Sequence, residues 1–355
     1  MKALVLWGDP HAANFGIRVL FEGTKQLLCS VDPSLDVDYQ HYGWGTAPFP
    51  VARAKGAIKR RFRTREAVEW LRQYSVVVDL RAGDSFTDIY GLKFLAEQSL
   101  WAEFVAELGI PLIFGPMTVG PFRTRAGRLI ARANLSRVKA LVTRDSYSAG
   151  YAEGFGRPAD AVGTDVVFAL PRPERPAQPE HDVLLNVSGL LWSSDAHGDS
   201  GQYQTLVRDL IRDLREAGRS VTLLSHDVPD DVVSDARPGA MLAEEFGLVH
   251  VHPESLDQVR KTAASARLAI GSRMHMCLNS LSVGTPAVPL AYSRKFAPLL
   301  RDLGWEHTLE LGAATTTSAV LAACQQAEEG DVDAVLHRAD LLIDRVRECY
   351  ASVIG

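Results

Sequence analysis

The sequence predicts an α/β protein made of two successive doubly wound halves. Three observations lead there: short β-branched runs alternate with helix-length amphipathic stretches, a proline-rich segment interrupts the alternation near the middle, and the alternation then restarts. A chain of 355 residues exceeds what one hydrophobic core usually serves, which fits two domains with a core each.

Residues 3–7 predict a buried first strand, because their apolar run reaches Gly8, Asp9 and Pro10 too soon to form a signal-peptide core or a membrane span. Residues 74–80 predict the next clear strand, with Val76, Val77 and Val78 continuous enough to be buried on both faces. A helix over 91–108 and strands over 111–114 and 140–143 follow. Pro171, Pro173, Pro176 and Pro179 cannot sit inside a helix or a central strand, so residues 173–180 read as a linker. It separates an N-terminal domain, 1–172, from a C-terminal one, 181–355.

Beyond the linker the pattern predicts a strand over 182–187, a helix over 203–218 ending on Gly218, a strand over 220–224, and a helix over 256–266 leading into a strand over 268–270. A last helix, about 331–353, is expected to pack across both domains. Two Rossmann-like halves joined by one linker suggest a GT-B-like arrangement with a cleft between them.

Composition narrows the function classes. An apolar fraction of 46% and a charged fraction of 23% lie near the averages for globular proteins and argue against disorder. Cys29, Cys277, Cys324 and Cys349 form no C-x-x-C pair and no His/Cys spacing suited to zinc, which predicts a reduced, cytoplasmic chain without a metal centre. The net charge of −5 argues against a general nucleic-acid binder. One segment runs the other way: Arg53, Lys55, Lys59, Arg60, Arg61, Arg63 and Arg65 lie close together, with Ile58 and Phe62 at helical spacing. This run reads either as a solvated face or as a peripheral contact with an anionic membrane surface or an acceptor's diphosphate.

In open parallel sheets ligands bind beyond the carboxyl ends of strands, so polar residues there take priority. Arg273 and His275 follow the strand over 268–270 and open a helix. Unpaired N–H groups at such an end, with an arginine fork and a histidine, make an anion site. The plainer reading is a capping arginine beside an ordinary histidine. Arg294 and Lys295 end the next short strand and either join the same anion or form a solvated loop. Asp84 and Asp88, after the strand over 74–80, suit a general base; a helix cap by Ser85 and a first-turn acid at Asp88 explain them equally.

Weaker signals are discounted. Asp36 and Asp38 form a D-x-D in an expected loop, His11 stands beside Asp9, and His250 and His252 alternate on an expected strand as surface histidines. Met274 and Met276 read as packing residues. No Walker loop, H-E-x-x-H, nucleophile elbow or convincing G-x-G-x-x-G is present.

Taken together, Arg273-x-His275, a helix, Gly284-x-Pro286, a strand and Tyr292-x-x-Lys295 form an order that resembles the signature of the polysaccharide pyruvyl transferases. Gly8 with Asn14, Phe15 and Gly16 is similar to the family's first loop, although Ile17 stands where many members have an aspartate. The stretch 79–91 resembles its middle glycine-rich loop, with the usual run of glycines reduced to Gly83. Residues 115–122 and Thr143, Arg144, Asp145 and Ser146 match in kind, so the resemblance spans nearly the whole chain.

The resemblance implies transfer of the pyruvyl unit of phosphoenolpyruvate onto a sugar of a glycan or lipid-linked precursor, closing a cyclic ketal with release of phosphate. It implies neither redox cofactor nor metal. It places the donor in the C-terminal domain at Arg273 and His275, with Tyr292 and Lys295, and Arg144 as a further cation for its anionic groups, while Gly8, Asn14 and Gly83 serve substrate binding and the N-terminal domain faces the acceptor. Two other readings stay open. A glycosyltransferase with a nucleotide-sugar donor would favour a glutamate pair near that donor site, and the only adjacent pair after Arg273 is Glu328 and Glu329. A non-catalytic carbohydrate-binding protein would bind without turnover.

Overall fold

The computed structural model describes all residues except 44, 50, 52–63, 230–232, 294 and 313. The chain divides into two compact units: one takes in Met1–His11, Ile17–Leu170 and Ala339–Gly355, the other Ala12–Gly16 and Pro171–Arg338. Each is built on a sheet of parallel strands, as the alternating pattern predicts.

In the first unit the elements run β1 (Lys2–Leu6), α1 (Phe15–Val31), β2 (Asp36–Gln40), α2 (Arg65–Leu71), β3 (Val76–Asp79), α3 (Leu92–Glu107), β4 (Leu112–Met117), α4 (Arg125–Leu135), β5 (Ala140–Thr143), α5 (Ser146–Gly154) and β6 (Ala161–Val162). The sheet order is β2-β1-β3-β4-β5-β6 among the described residues. Strands β3, β4 and β5 are buried along their whole length, which is why they read as continuous apolar runs. The core gathers Leu4, Leu6, Val77, Phe86, Leu95, Phe114 and Leu141 with Trp70 and Trp101.

The second unit continues with β7 (His181–Asn186), α6 (Gly189–Ser193), α7 (Ser200–Glu216), β8 (Val221–Leu224), α8 (Ala236–Phe246), β9 (Val249–Val251), α9 (Leu256–Ala264), β10 (Ala266–Gly271), α10 (Met274–Ser282), β11 (Ala287–Ala291), α11 (Phe296–Asp302), β12 (Leu309–Glu310) and α12 (Thr317–Glu328), then α13 (Val332–Ile354). The order is β12-β11-β10-β7-β8-β9, so the direction of winding reverses between β7 and β10. A crevice at the carboxyl ends of such a central pair is where open parallel sheets hold ligands. Helix α13 starts in the second unit, and its residues from Ala339 onward belong to the first, where the buried Tyr350 donates to the Gly115 carbonyl at 2.7 Å. The expected C-terminal domain of 181–355 thus gives its last residues to the other unit.

Several local expectations change. Asp36 and Asp38 lie on the edge strand β2 and not in a loop; Lys2 pairs with both, at 3.3 and 3.5 Å, and Tyr74 donates to Asp38. A strand forms there because its backbone pairs in register with β1. Ser85 does not cap the following helix and Asp88 is not in its first turn: α3 starts at Leu92 with Gly91 as its N-cap and no side-chain hydrogen bond. Of the two expected surface histidines only His252 is exposed; His250 is half-buried and shares a 2.9 Å hydrogen bond with Ser225 Oγ. Met274 and Met276 are core residues as expected. All four cysteines are free. Among the described residues no helix is long and apolar enough to cross a membrane.

Candidate functional site

The reversal point of the second sheet carries a polar network. Asn186 ends β7 and its side chain spans to the next turns: Oδ1 accepts from Arg273 N at 3.1 Å, and Nδ2 donates to Leu224 O and to Asp235 Oδ2. Arg273 is the N-cap residue of α10 and makes no side-chain cap bond. Its guanidinium turns instead onto Asp235, with Nε at 2.9 Å and Nη2 at 2.7 Å from Oδ1, while Nη2 also reaches Val233 O and lies 3.5 Å from Asp227 Oδ2.

Asp235 is 1% exposed and also accepts from Gly189 N and His226 N. Burial alone would favour neutral Arg273, but Asp235 and Asp227 outweigh it and raise its pKa further. Two of the three guanidinium nitrogens are therefore committed to protein. That leaves Nη1 rather than an open two-nitrogen fork.

Asp227 itself accepts from Ser234 Oγ and from the backbone N–H of Asp235. Burial, followed by the neighbouring Asp235 charge, pushes its carboxyl up to about 6. His226 is fully buried, and that burial, with the nearby His275, lowers its pKa to about 3, so it is neutral. Its tautomer follows from Asn279. Arg260 can only donate and holds Asn279 Oδ1 at 3.1 Å, which turns Nδ2 toward the His275 carbonyl and His226 Nε2. His226 Nε2 accepts, and its proton resides on Nδ1.

His275 lies one residue into the same helix α10 and is half-buried. Its ring is backed by Gly16: a Cβ built there would stand 2.6 Å from His275 Nδ1 and 3.0 Å from Asn14 Oδ1. Asn14 Oδ1 accepts from Gly16 N, and the strip around it pairs with the loop after β8 through an Asn14–Asp227 bridge and a Val228 N to Ala13 O bond. Asn14, Phe15 and Gly16 of the expected first loop thus join Asp227 and His275 within the second unit.

Tyr292 is edge-on to His197, with ring centroids 5.2 Å apart, and to Phe296. Lys295 is half-buried at the start of α11, and Arg294 lies outside the described residues. Next to this segment a cavity of about 940 Å³ is lined by Leu191, His197, Gln202, Tyr203, Asp209 and Leu311, among others. Tyr203 ties its wall to the site, sharing a 2.9 Å hydrogen bond with Ser272 Oγ. Among the described residues its lining contains no lysine or arginine, so these side chains offer no cation to a phosphate or carboxylate.

The other expected residues lie in the first unit. Gly8 is buried, and a Cβ there would stand 3.1 Å from Phe21, so its lack of a side chain lets α1 pack close. Gly83 has φ +84° and follows the buried Asp79–Arg81 ion pair. Asp84 accepts from Tyr90 OH at 2.9 Å. Asp88 accepts from Arg123 N, Thr124 N and Thr124 Oγ1; burial would raise its pKa, but these bonds prevail and hold the carboxyl below its ordinary value. Bound in this way it anchors the start of α4 and is a poor base. Arg144, at the end of β5, is 2% exposed with Nη1 3.5 Å from Asp165; its Nε and Nη2 are buried with no hydrogen-bond partner among the described residues. Buried guanidinium donors left in this condition suit an incoming anion.

The arginine fell where the sequence rule put it, but its partners did not. Asp227 and Asp235 escaped notice although Ser225-His226-Asp227 directly follows the β8 strand. That strand-end position was the available signal.

Comparisons with known proteins add to this geometry. A family model described as polysaccharide pyruvyl transferase matches residues 25–294. The chain is 28% identical over 263 residues to the amylovoran biosynthesis protein AmsJ of Erwinia amylovora, over 66% of this chain and 60% of that protein; it therefore spans about three fifths of that relative's length. Among solved structures, UDP-GlcNAc 2-epimerase from Neisseria meningitidis bound to UDP-GlcNAc is similar at a TM-score of 0.55 and 11% identity, covering 98% of this chain and 100% of that one. The enzyme of that name from Methanocaldococcus jannaschii gives 0.54 and 10%, covering 96% and 99%. At such identities the likeness shows the fold alone, and it is the Rossmann-like, GT-B-like fold expected.

Proposed function

This chain belongs to the polysaccharide pyruvyl transferase family, and on that premise we propose that it transfers the pyruvyl unit of phosphoenolpyruvate to a sugar of a glycan or glycolipid precursor. The observation that carries the reading is the juxtaposition, at the reversal point of the second sheet, of Arg273 locked by Asp235 with His275 backed by Gly16. The donor's phosphate or carboxylate approaches Nη1 of Arg273 and the ring of the half-buried His275, with Lys295 and Tyr292 on the next strand end completing its surroundings. In the first unit Arg144 offers its buried donors to an anionic group of a substrate.

The steps balance without an external oxidant. A proton added to the methylene carbon of phosphoenolpyruvate makes the neighbouring carbon electrophilic, and an acceptor hydroxyl attacks it as that hydroxyl's proton passes to a base. A second hydroxyl of the same sugar then displaces phosphate, its proton leaving with the phosphate, and closes the ketal. His275 is our proton donor; the carboxyl of Asp227, raised to about 6, is protonated in part near neutrality and replenishes protons beside it. Asp84 takes the base role in preference to Asp88, whose oxygens are spent on α4. Loss of one such contact costs roughly 100 to 1,000-fold in rate.

The test mixes the protein with phosphoenolpyruvate and a panel of sugar acceptors and follows phosphate release and product mass, with Arg273→Ala and His275→Ala beside it. Phosphate release with a pyruvyl-sized mass gain, absent in both variants, supports the reading. Turnover of a nucleotide sugar with no response to phosphoenolpyruvate would sink it. Glu328 already speaks against that rival, since Arg219 and Arg267 both pair with it at 2.9 Å.

A further inference from the structure

From residue 108 to residue 144 the chain contains no aspartate or glutamate, although its net charge is −5. Six cations in this stretch, Arg123, Arg125, Arg128, Arg132, Arg137 and Lys139, are exposed. Their placement is not that of an ordinary solvated helix. On α4 the residues Gly127, Ala131, Asn134 and Leu135 face the core. Arg125, Arg128, Leu129 and Arg132 stand at i, i+3, i+4 and i+7 and form the opposite stripe, with Leu129 67% exposed in the middle of three arginines.

A second exposed apolar group meets the start of this helix. Asp88 is fastened to Arg123 and Thr124, and the residues directly after it, Ile89, Tyr90 and Leu92, are 39%, 50% and 37% exposed, with Lys93 exposed behind them. Arg128 is held by the Phe122 and Arg123 carbonyls, and Arg137 by Glu103. Arg125 and Arg132 make no ion pair among the described residues. Exposed aliphatic side chains ringed by uncompensated cations fit an interface that is apolar inside and anionic outside.

We propose that the α4 face of the first unit, with the turn at Ile89 to Leu92, docks on the surface of an anionic phospholipid bilayer. The arginines meet headgroup phosphates while Leu129 and the 89–92 turn enter the boundary with the acyl chains. The proposal depends neither on the basic run over 53–65, most of which lies outside the described residues, nor on the reaction assigned above.

The full chain is sedimented with vesicles of phosphatidylcholine alone and of phosphatidylcholine with phosphatidylglycerol, at about 0.1 M salt, where exposed charges still act across roughly 10 Å. Binding is expected to the anionic vesicles only. Arg125→Gln with Arg132→Gln lowers the partition coefficient roughly 25-fold, taking about fivefold for each cation lost at the surface. Leu129→Ser weakens anionic binding several-fold without changing charge, and it keeps the test alive should the double variant misfold. Unchanged binding in both variants overturns the proposal, since binding would then arise elsewhere on the chain. So does displacement of the vesicles by a short DNA duplex at equal phosphate concentration, because the face would then be reading phosphate charge and not a bilayer.

Discussion

The imidazole of His275 rests on the backbone of Gly16, so closely that a methyl group on that glycine would lie 2.6 Å from Nδ1. Two segments more than two hundred residues apart in sequence thereby define one ring position. Neither the glycine nor the histidine has this meaning alone.

Gly16→Ala tests the relationship. The added methyl must push either the ring or the Asn14 side chain, and forcing a group into a packed site costs about 1–3 kcal/mol. We expect a modest loss of stability in urea unfolding and a drop of about 100-fold in pyruvyl transfer, since a displacement of roughly 1 Å can cost that much. An unaltered rate would mean that the ring orientation does not matter to the reaction.

Asp235→Ala leaves Arg273 charged, largely buried and without its main partner. Breaking a buried pair in this way costs about 3–5 kcal/mol. The same loss should accompany Arg273→Ala, and the double variant should lose less than the sum of the two, as a double-mutant cycle in urea will show.

The pH dependence of stability contains two opposing contributions. The unfolded chain binds a proton on His226 below its ordinary 6.5, whereas the native state does so only near 3. Stability from the buried neutral ring is therefore complete above 6.5 and is lost as pH falls toward 3, on the order of 5 kcal/mol in all. Asp227 acts in the other direction. Its native carboxyl keeps a proton up to about 6 against 3.8 unfolded, so stability falls as pH rises through that window. Unfolding curves between these limits should show His226→Gln flattening the acid limb and Asp227→Asn steepening it. Equal curves for both variants would contradict the assignment.

In the first unit Arg81 and Asp79 form an ion pair with both side chains at 0% exposure, and Arg81 also donates to Ser99 Oγ and Asn134 Oδ1. Its ring of partners includes the faces of Phe86 and Phe114 at 4.8 and 4.7 Å. Arg81→Lys offers one point charge for a planar fork and should cost several kcal/mol, about as much as Arg81→Ala. Replacing both partners, Asp79→Leu with Arg81→Leu, should recover part of the loss, which chemical denaturation of the three variants will measure.

The alternation of β-branched runs with amphipathic stretches sufficed for the two parallel sheets, because burial of a strand on both faces writes itself into consecutive residues such as Val76, Val77 and Val78. The strand-end rule likewise found Arg273 and His275. Element ends shifted by one to three residues, as at α7, where Asp199 caps a helix that starts at Ser200 and not at 203.

What the sequence by itself determined was therefore the fold class, the family and the strand end that carries the arginine and the histidine. All three depend on local pattern or on short ordered motifs. Only the tertiary structure decided what those side chains face: that Asp235 takes two nitrogens of Arg273, that Gly16 supports His275, and that Asp88 fastens the start of α4. Such partners come from separate loops brought together by parallel strands, and a hydrogen bond between residues tens or hundreds of positions apart leaves no periodicity along the chain.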